Sequence, residues 1–198
     1  MTNAAWPTWQ KNLARTGQAA VASLDSSTMN IRWTATTTVM HEFSSRPILD
    51  EEGNIYIGRG DGLAKYSPSG NLLWLYNTTG AVYTTPLIAS DGTIYFRGSY
   101  GLYAVNKNGQ FEWKHILSGT SGNNAALAIL SDGALITQSD EKIYAVNQDA
   151  TLKWFFDPGR ALQDSGSIGA FVIDSADNIF TAVDDYIYAL DKTGAPIW

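Results

Sequence analysis

Few side chains in this sequence are suited to making or breaking bonds. The histidines are His41 and His115. His41 precedes Glu42, a polar pair, but a hydrolytic triad needs a nucleophile and an orienting acid around one imidazole. No spacing in the chain supplies that set, so both histidines are read as solvated surface groups. Acidic residues gather at Asp174 and Asp177, beside Asn178, and again at Asp184 and Asp185. A calcium loop needs carboxylates at alternate positions, a mid-loop Gly and a closing Glu. That pattern is not met, and Asp or Asn at a turn more often binds its own backbone. Gly58-x-Gly60-x-Gly62 has the look of a phosphate cradle. It precedes a β-prone run rather than a helix, so the dipole that would hold an anion is missing and a turn is expected. Cys is absent, which excludes disulfides, thiolate metal sites and cysteine nucleophiles. These observations give the expectation of no catalytic residues, no metal and no cofactor.

Composition narrows the function classes further. The 198 residues suit one domain with a sizeable core. Lys and Arg number 13 against 19 Asp and Glu, a net charge of -6, and no basic cluster stands out. Nucleic acid is therefore not an expected partner. No apolar run is long enough to span a membrane as a helix. Met1 to Gln10 has neither a basic nor an apolar signal-peptide region.

The elements that must position any site follow from a repeat. Trp33, Trp74, Trp113, Trp154 and Trp198 are separated by 41, 39, 41 and 44 residues. Gly53 to Trp74, Gly92 to Trp113, Gly133 to Trp154 and Asp177 to Trp198 each span 21 residues. A fixed stretch implies one packing unit, and the variable remainder implies surface loops. Inside the unit, short β-prone runs such as Ile94-Tyr95-Phe96 and Leu102-Tyr103-Ala104-Val105 alternate with Asp-Gly and Asn-Gly turns. Those dipeptides predict hairpins whose two central residues both have positive φ. Four short antiparallel strands every forty or so residues make one propeller blade, which must stack on neighbours to bury its two apolar faces.

The expected fold is thus all-β, a β-propeller of four-stranded antiparallel blades. A leader over 1–29 precedes repeats over 30–198. The blades fall at about 47–76, 86–115, 127–156 and 171–198, with one extra outer-type strand at 30–36. Trp33, Trp74, Trp113, Trp154 and Trp198 are the structural docking residues between blades.

Ala104-x-Asn106-x-x-Gly109-x-x-x-Trp113 and Ala189-x-Asp191-x-x-Gly194-x-x-x-Trp198 resemble the docking motif of quinoprotein-type (pyrroloquinoline-quinone-like) β-propeller repeats. Trp6-Pro7-Thr8-Trp9 followed by Arg15-Thr16-Gly17 is similar to the leader of many members. The resemblance implies rings of seven or eight blades, more than the four read here. It therefore implies a longer propeller, a homodimer of two half-rings, or closure of four blades alone. It also implies a bacterial extracytoplasmic origin. Some members are quinone- and calcium-dependent dehydrogenases, others binding scaffolds.

The variable loops are the expected site, because they emerge on one face near the axis. They hold His41, Glu42, Arg46, Tyr83, Asn123, Asn124, Arg160, Gln163 and Asp164. These residues suit polar contacts with a protein, peptide or glycan. The expected function is a non-catalytic scaffold or binding module that also self-associates. The alternative is a ligand- or quinone-dependent enzyme or sensor working on the axis.

Overall fold

A computed structural model describes residues 31–35, 45–117, 126–139, 142–159, 171–183 and 186–198. The 21-residue unit folds the same way each time. Blade 1 comprises β1 (Ile48–Leu49), β2 (Ile55–Arg59), β3 (Gly62–Tyr66) and β4 (Leu72–Asn77). Blade 2 comprises β5 (Leu87–Ile88), β6 (Ile94–Gly98), β7 (Gly101–Val105) and β8 (Phe111–Ile116). Blade 3 comprises β9 (Leu127–Ile129), β10 (Leu135–Ser139), β11 (Lys142–Val146) and β12 (Leu152–Phe156). Each is an antiparallel sheet in sequential order. Blade 4 comprises β13 (Val172–Ile173), β14 (Ile179–Val183) and β15 (Tyr186–Leu190). Its expected fourth strand is reduced to one bridge, Leu190 to Pro196, and the bond Ile197 N–H to Ala189 O at 2.7 Å. That bridge keeps the register of Val146 with Leu152 in blade 3. Of the outer-type strand expected at 30–36, the described residues 31–35 pair with no sheet.

The turns differ from the expected type. Each blade has two, closed by bonds such as Gly92 N–H to Ala89 O and Gly109 N–H to Asn106 O. In each turn the residue donating that bond has positive φ, and the residue before it does not. This is the type I turn followed by one left-handed residue, which shifts the pairing by one position. The shift recurs between β3 and β4, β7 and β8, and β11 and β12. Gly occupies six of the eight left-handed positions; Ala150 (φ 68) and Asp177 (φ 64) hold the others. The Asp174 carboxylate accepts the amides of Ala176 and Asn178, so this acidic group caps its own turn.

Packing follows from strands that are apolar on both faces. One core lies between blades 1 and 2, built on Ile48, Tyr56, Leu63, Ile94, Phe96 and Tyr103. A second lies between blades 2 and 3, and a third between blades 3 and 4. Ile48, Tyr56 and Leu63 are buried, as are their counterparts Leu87, Tyr95 and Leu102, and Ala128, Ile136 and Ile143. In blade 4 the matching Val172 and Ile187 are 53% and 65% exposed. The four blades therefore form an open arc, a partial ring.

A carbonyl-seeking indole ties the blades together. Trp33 Nε1 donates to Pro68 O at 2.9 Å, Trp74 Nε1 to Lys107 O at 3.1 Å, and Trp154 Nε1 to Lys192 O at 3.0 Å. Each acceptor lies two residues before the left-handed Gly of a turn. A Cβ on Gly70, Gly109 or Gly194 would sit 2.6 to 2.7 Å from the Cδ2 of the docked ring. The turn thus needs Gly twice over, for its φ and for the ring lying on it.

Blade 2 meets blade 3 differently. Ala150 stands where the other turns have Gly, and no such bond from Trp113 is present among the described residues. Instead the Nδ1–H of His115 donates to Ala150 O at 2.7 Å. His115 is half-buried at this seam and not the solvated group expected from sequence.

Candidate functional site: the loop face

Antiparallel order puts the β2–β3 and β6–β7 hairpin turns at the same end as the loops between blades. The loop between blades 1 and 2 is fastened between two such turns. Thr78 N–H donates to Asp61 O and Val82 N–H to Arg59 O, both at 3.0 Å. Ser99 Oγ–H donates to Ala81 O at 3.3 Å. Gly58 lets a second loop reach the same place: its N–H donates to Ser45 Oγ at 2.7 Å. A Cβ there would lie 2.1 Å from Val82 O and 2.9 Å from Ser45 Oγ. The Gly58–Gly62 segment is indeed a hairpin turn, with Arg59 opposite Gly62. It lets the segment entering blade 1 and the loop between blades 1 and 2 converge.

Buried guanidinium groups stiffen this end. Arg59 makes a bidentate pair with Asp61, both bonds 2.9 Å, and donates from Nη1 to Tyr66 OH at 3.1 Å. Fork-on-carboxylate geometry fixes the turn that carries Asp61. Arg97 is fully buried and donates from Nη2 to Ser139 Oγ at 3.0 Å, joining blade 2 to blade 3. Thr84 Oγ1 accepts from Arg97 N–H and donates to Arg97 O. Residue 84 is thereby locked, and its neighbour Tyr83 with it.

Of the expected site residues, Arg46 is exposed and Tyr83 half-buried on this face. Ser45 and Val82 bring their two loops together at Gly58. His41, Glu42, Asn123, Asn124, Arg160, Gln163 and Asp164 lie outside the described residues, as do Asp184 and Asp185. Sequence reasoning missed Arg59, Asp61, Arg97 and the exposed Tyr100 in the β6–β7 turn. An Arg closing a strand beside a Gly-rich turn was the available signal. Trp33 is half-buried against blade 1, Trp74, Trp113 and Trp154 are half-buried between blades, and Trp198 is 66% exposed.

The opposite end is polar and internally satisfied. A cleft of about 480 Å³ runs past Asp91, Asp132, Asp174 and Asp177. Asp132 pairs with Lys153, whose hydrogen bond holds the carboxyl below its usual range. Asp177 accepts from the N–H and hydroxyl of Ser131, bridging blades 3 and 4. Asp50 accepts from Asn54 N–H at 2.7 Å and Tyr56 OH at 3.1 Å, and pairs with Lys65 at 3.1 Å. Burial alone would raise its carboxyl, but the Asn54 donors and Lys65 outweigh that and lower it. Burial pushes the Tyr95 hydroxyl up to about 12. Among the described residues no three His, Asp or Glu side chains gather as a metal site. No helix there is long and apolar enough to cross a membrane.

Sequential four-stranded sheets, seams filled from both sides and loops gathered at one end define an arc of β-propeller blades. The model of the outer membrane protein assembly factor BamB family matches residues 9–198, and the chain belongs to that family. No curated protein matches it. Among solved structures, BamB from Moraxella catarrhalis is similar at 18% identity with a TM-score of 0.67, over 79% of this chain and 52% of that one. An inactive virginiamycin B lyase from Staphylococcus aureus, solved with quinupristin, aligns at 11% identity and TM-score 0.63, over 82% and 57%. A Bacteroides caccae protein of unknown function aligns at 13% identity and TM-score 0.57, over 80% and 60%. Identities this low speak for the fold alone. The chain spans about half to three fifths of these structures.

Proposed function

We propose that the chain is a non-catalytic binding module whose loop face takes a protein or peptide partner. The observation carrying this reading is the convergence on Gly58 of the segment entering blade 1 and the loop between blades 1 and 2, presenting Arg46 and Tyr83 from a base stiffened by Arg59 and Arg97. Arg and Tyr anchored on a rigid base are the residues that dominate protein interfaces. Membership of a family named for an assembly factor of the outer membrane supports a protein partner and an extracytoplasmic bacterial setting.

Selection of binders from a random peptide library tests it. Tyr83→Ala should weaken the selected peptides about tenfold, the cost of an aromatic anchor. Phe111→Ser on an outer strand should leave them unchanged. Peptides indifferent to Tyr83 and Arg46 would refute the site. Turnover with calcium, the quinone and a dye acceptor would refute the non-catalytic reading.

A further inference from the structure

The chain holds one Asn-Gly pair, Asn108-Gly109. It lies in the β7–β8 turn of blade 2, the turn on which the Trp74 indole of blade 1 docks. The sister turns have Ser69, Asp149 and Thr193 where this one has Asn108. Asn before Gly readily loses its side-chain amide, because a following residue with no Cβ leaves its backbone nitrogen unshielded. That nitrogen attacks Asn Cγ, ammonia leaves, and a succinimide ring closes. Water then opens the ring at either carbonyl. One opening gives Asp. The other gives isoaspartate, whose main chain runs through Cβ and Cγ and is longer by one methylene.

The turn leaves the target open and guards the attacker. Asn108 is exposed, and no hydrogen bond holds its carboxamide among the described residues. Asp61, Asp91 and Asp132 also precede Gly, but each accepts hydrogen bonds, and an ionised carboxylate resists attack by nitrogen. The Gly109 nitrogen is occupied: its N–H donates to Asn106 O at 2.9 Å. Gly109 also lies beneath the Trp74 ring, and Trp74 Nε1 donates to Lys107 O at 3.1 Å. The residues on both sides of Asn108 are thus held by one indole. Ring closure requires Gly109 to give up Asn106 and swing out from under that ring.

We propose that Asn108 is a deamidation site gated by the seam between blades 1 and 2, reacting only when the Trp74 indole lifts off its turn. The extra methylene of isoaspartate then lengthens the path from Lys107 O to Gly109, so the indole cannot hold both and the opened seam becomes permanent. The Asp product keeps the main-chain length and with it the dock.

Peptide mapping by mass spectrometry of the full chain, aged in mildly alkaline buffer, tests this. Asn108 should deamidate more slowly in the folded chain than in the same chain held unfolded in urea. Trp74→Phe keeps a ring but loses the Lys107 bond. It should speed the folded reaction about fivefold, the factor by which one lost hydrogen bond raises the open population. Asp177→Gly weakens the seam between blades 3 and 4 instead and should leave the rate unchanged. Amide exchange in β8 should rise in the isoaspartate fraction and stay at the parent level in Asn108→Asp. The urea comparison and the comparison of products need no Trp74 variant and stand should Trp74→Phe not fold. Folded protein that reacts as fast as the unfolded chain, or not at all while the unfolded chain reacts, would overturn the proposal. So would equal acceleration by Asp177→Gly, or an isoaspartate fraction with unchanged exchange.

Discussion

Ala150→Gly should stabilise the protein, against the usual direction of a glycine substitution. Ala150 holds a left-handed backbone at φ 68 where three sister turns have Gly. An L-residue there costs about 1–2 kcal/mol. The greater freedom of Gly in the unfolded chain takes back about 0.4–1 kcal/mol. Removing the methyl also frees the place where an indole lies in the other turns, each within 2.7 Å of the Cβ position. Trp113 can then dock on the Gln148 carbonyl, worth about 1 kcal/mol. The His115 bond runs to the backbone carbonyl and survives the change. The sum is about 1–2 kcal/mol, or about 3–6 °C in Tm for a chain of this size. Urea unfolding followed by far-ultraviolet circular dichroism reads it. In a Trp113→Phe background the gain should fall by the indole bond, leaving about 0.5–1 kcal/mol of relieved strain. A neutral or destabilising Ala150→Gly would refute the claim that this turn is strained. An equal gain in both backgrounds would refute the docking part alone.

Other outcomes follow from the same contacts. Asp50→Asn should cost about 2 kcal/mol at neutral pH, since it weakens charged bonds to Asn54, Tyr56 and Lys65. The folded Asp50 carboxyl is lowered, so its contribution is complete above the unfolded value near 3.8 and disappears as pH falls through the folded one. The gap in Tm between parent and variant should close below about pH 4, and a constant gap would count against the charge. Asp177→Gly relieves a left-handed Asp but leaves Ser131 N–H without its acceptor. The loss should win by about 1 kcal/mol in urea. Arg97→Ala removes a fully buried side chain and its bond to Ser139, and should cost about 3 kcal/mol while raising hydrogen exchange at Tyr83 and Thr84.

The repeat was legible because tryptophan and glycine recur with fixed offsets, and the physics behind each is local. Left-handed turns select Gly, and short strands select β-branched and aromatic residues. Ala150 and Asp177 show the limit. Both take the Gly conformation without being Gly, and what they do is decided by residues 35 and 46 positions away. The expected strand around Trp33 is a related case. Trp33 keeps the indole contact of an outer strand, but no partner strand faces residues 31–35 among the described residues. Of the loop site, the chain end of the blade carrying it was readable from topology. The meeting of two loops at Gly58, and the guanidinium groups beneath, depend on three-dimensional neighbours that no spacing encodes.

The indole bonds have a consequence for how such an arc forms and comes apart. They join residues 35, 33 and 38 apart, each about one repeat. Each of these seams closes a loop of about the same length, so adding blades lengthens the molecule without lengthening its search. Stability then accumulates blade by blade, as in a one-dimensional chain of coupled units. Opening should begin at whichever end is bound on one side only, and here blade 4 keeps its outward residues in water. Amide exchange should therefore grade along the arc, fastest in β15 and slowest in β6 and β7, where both neighbours are present.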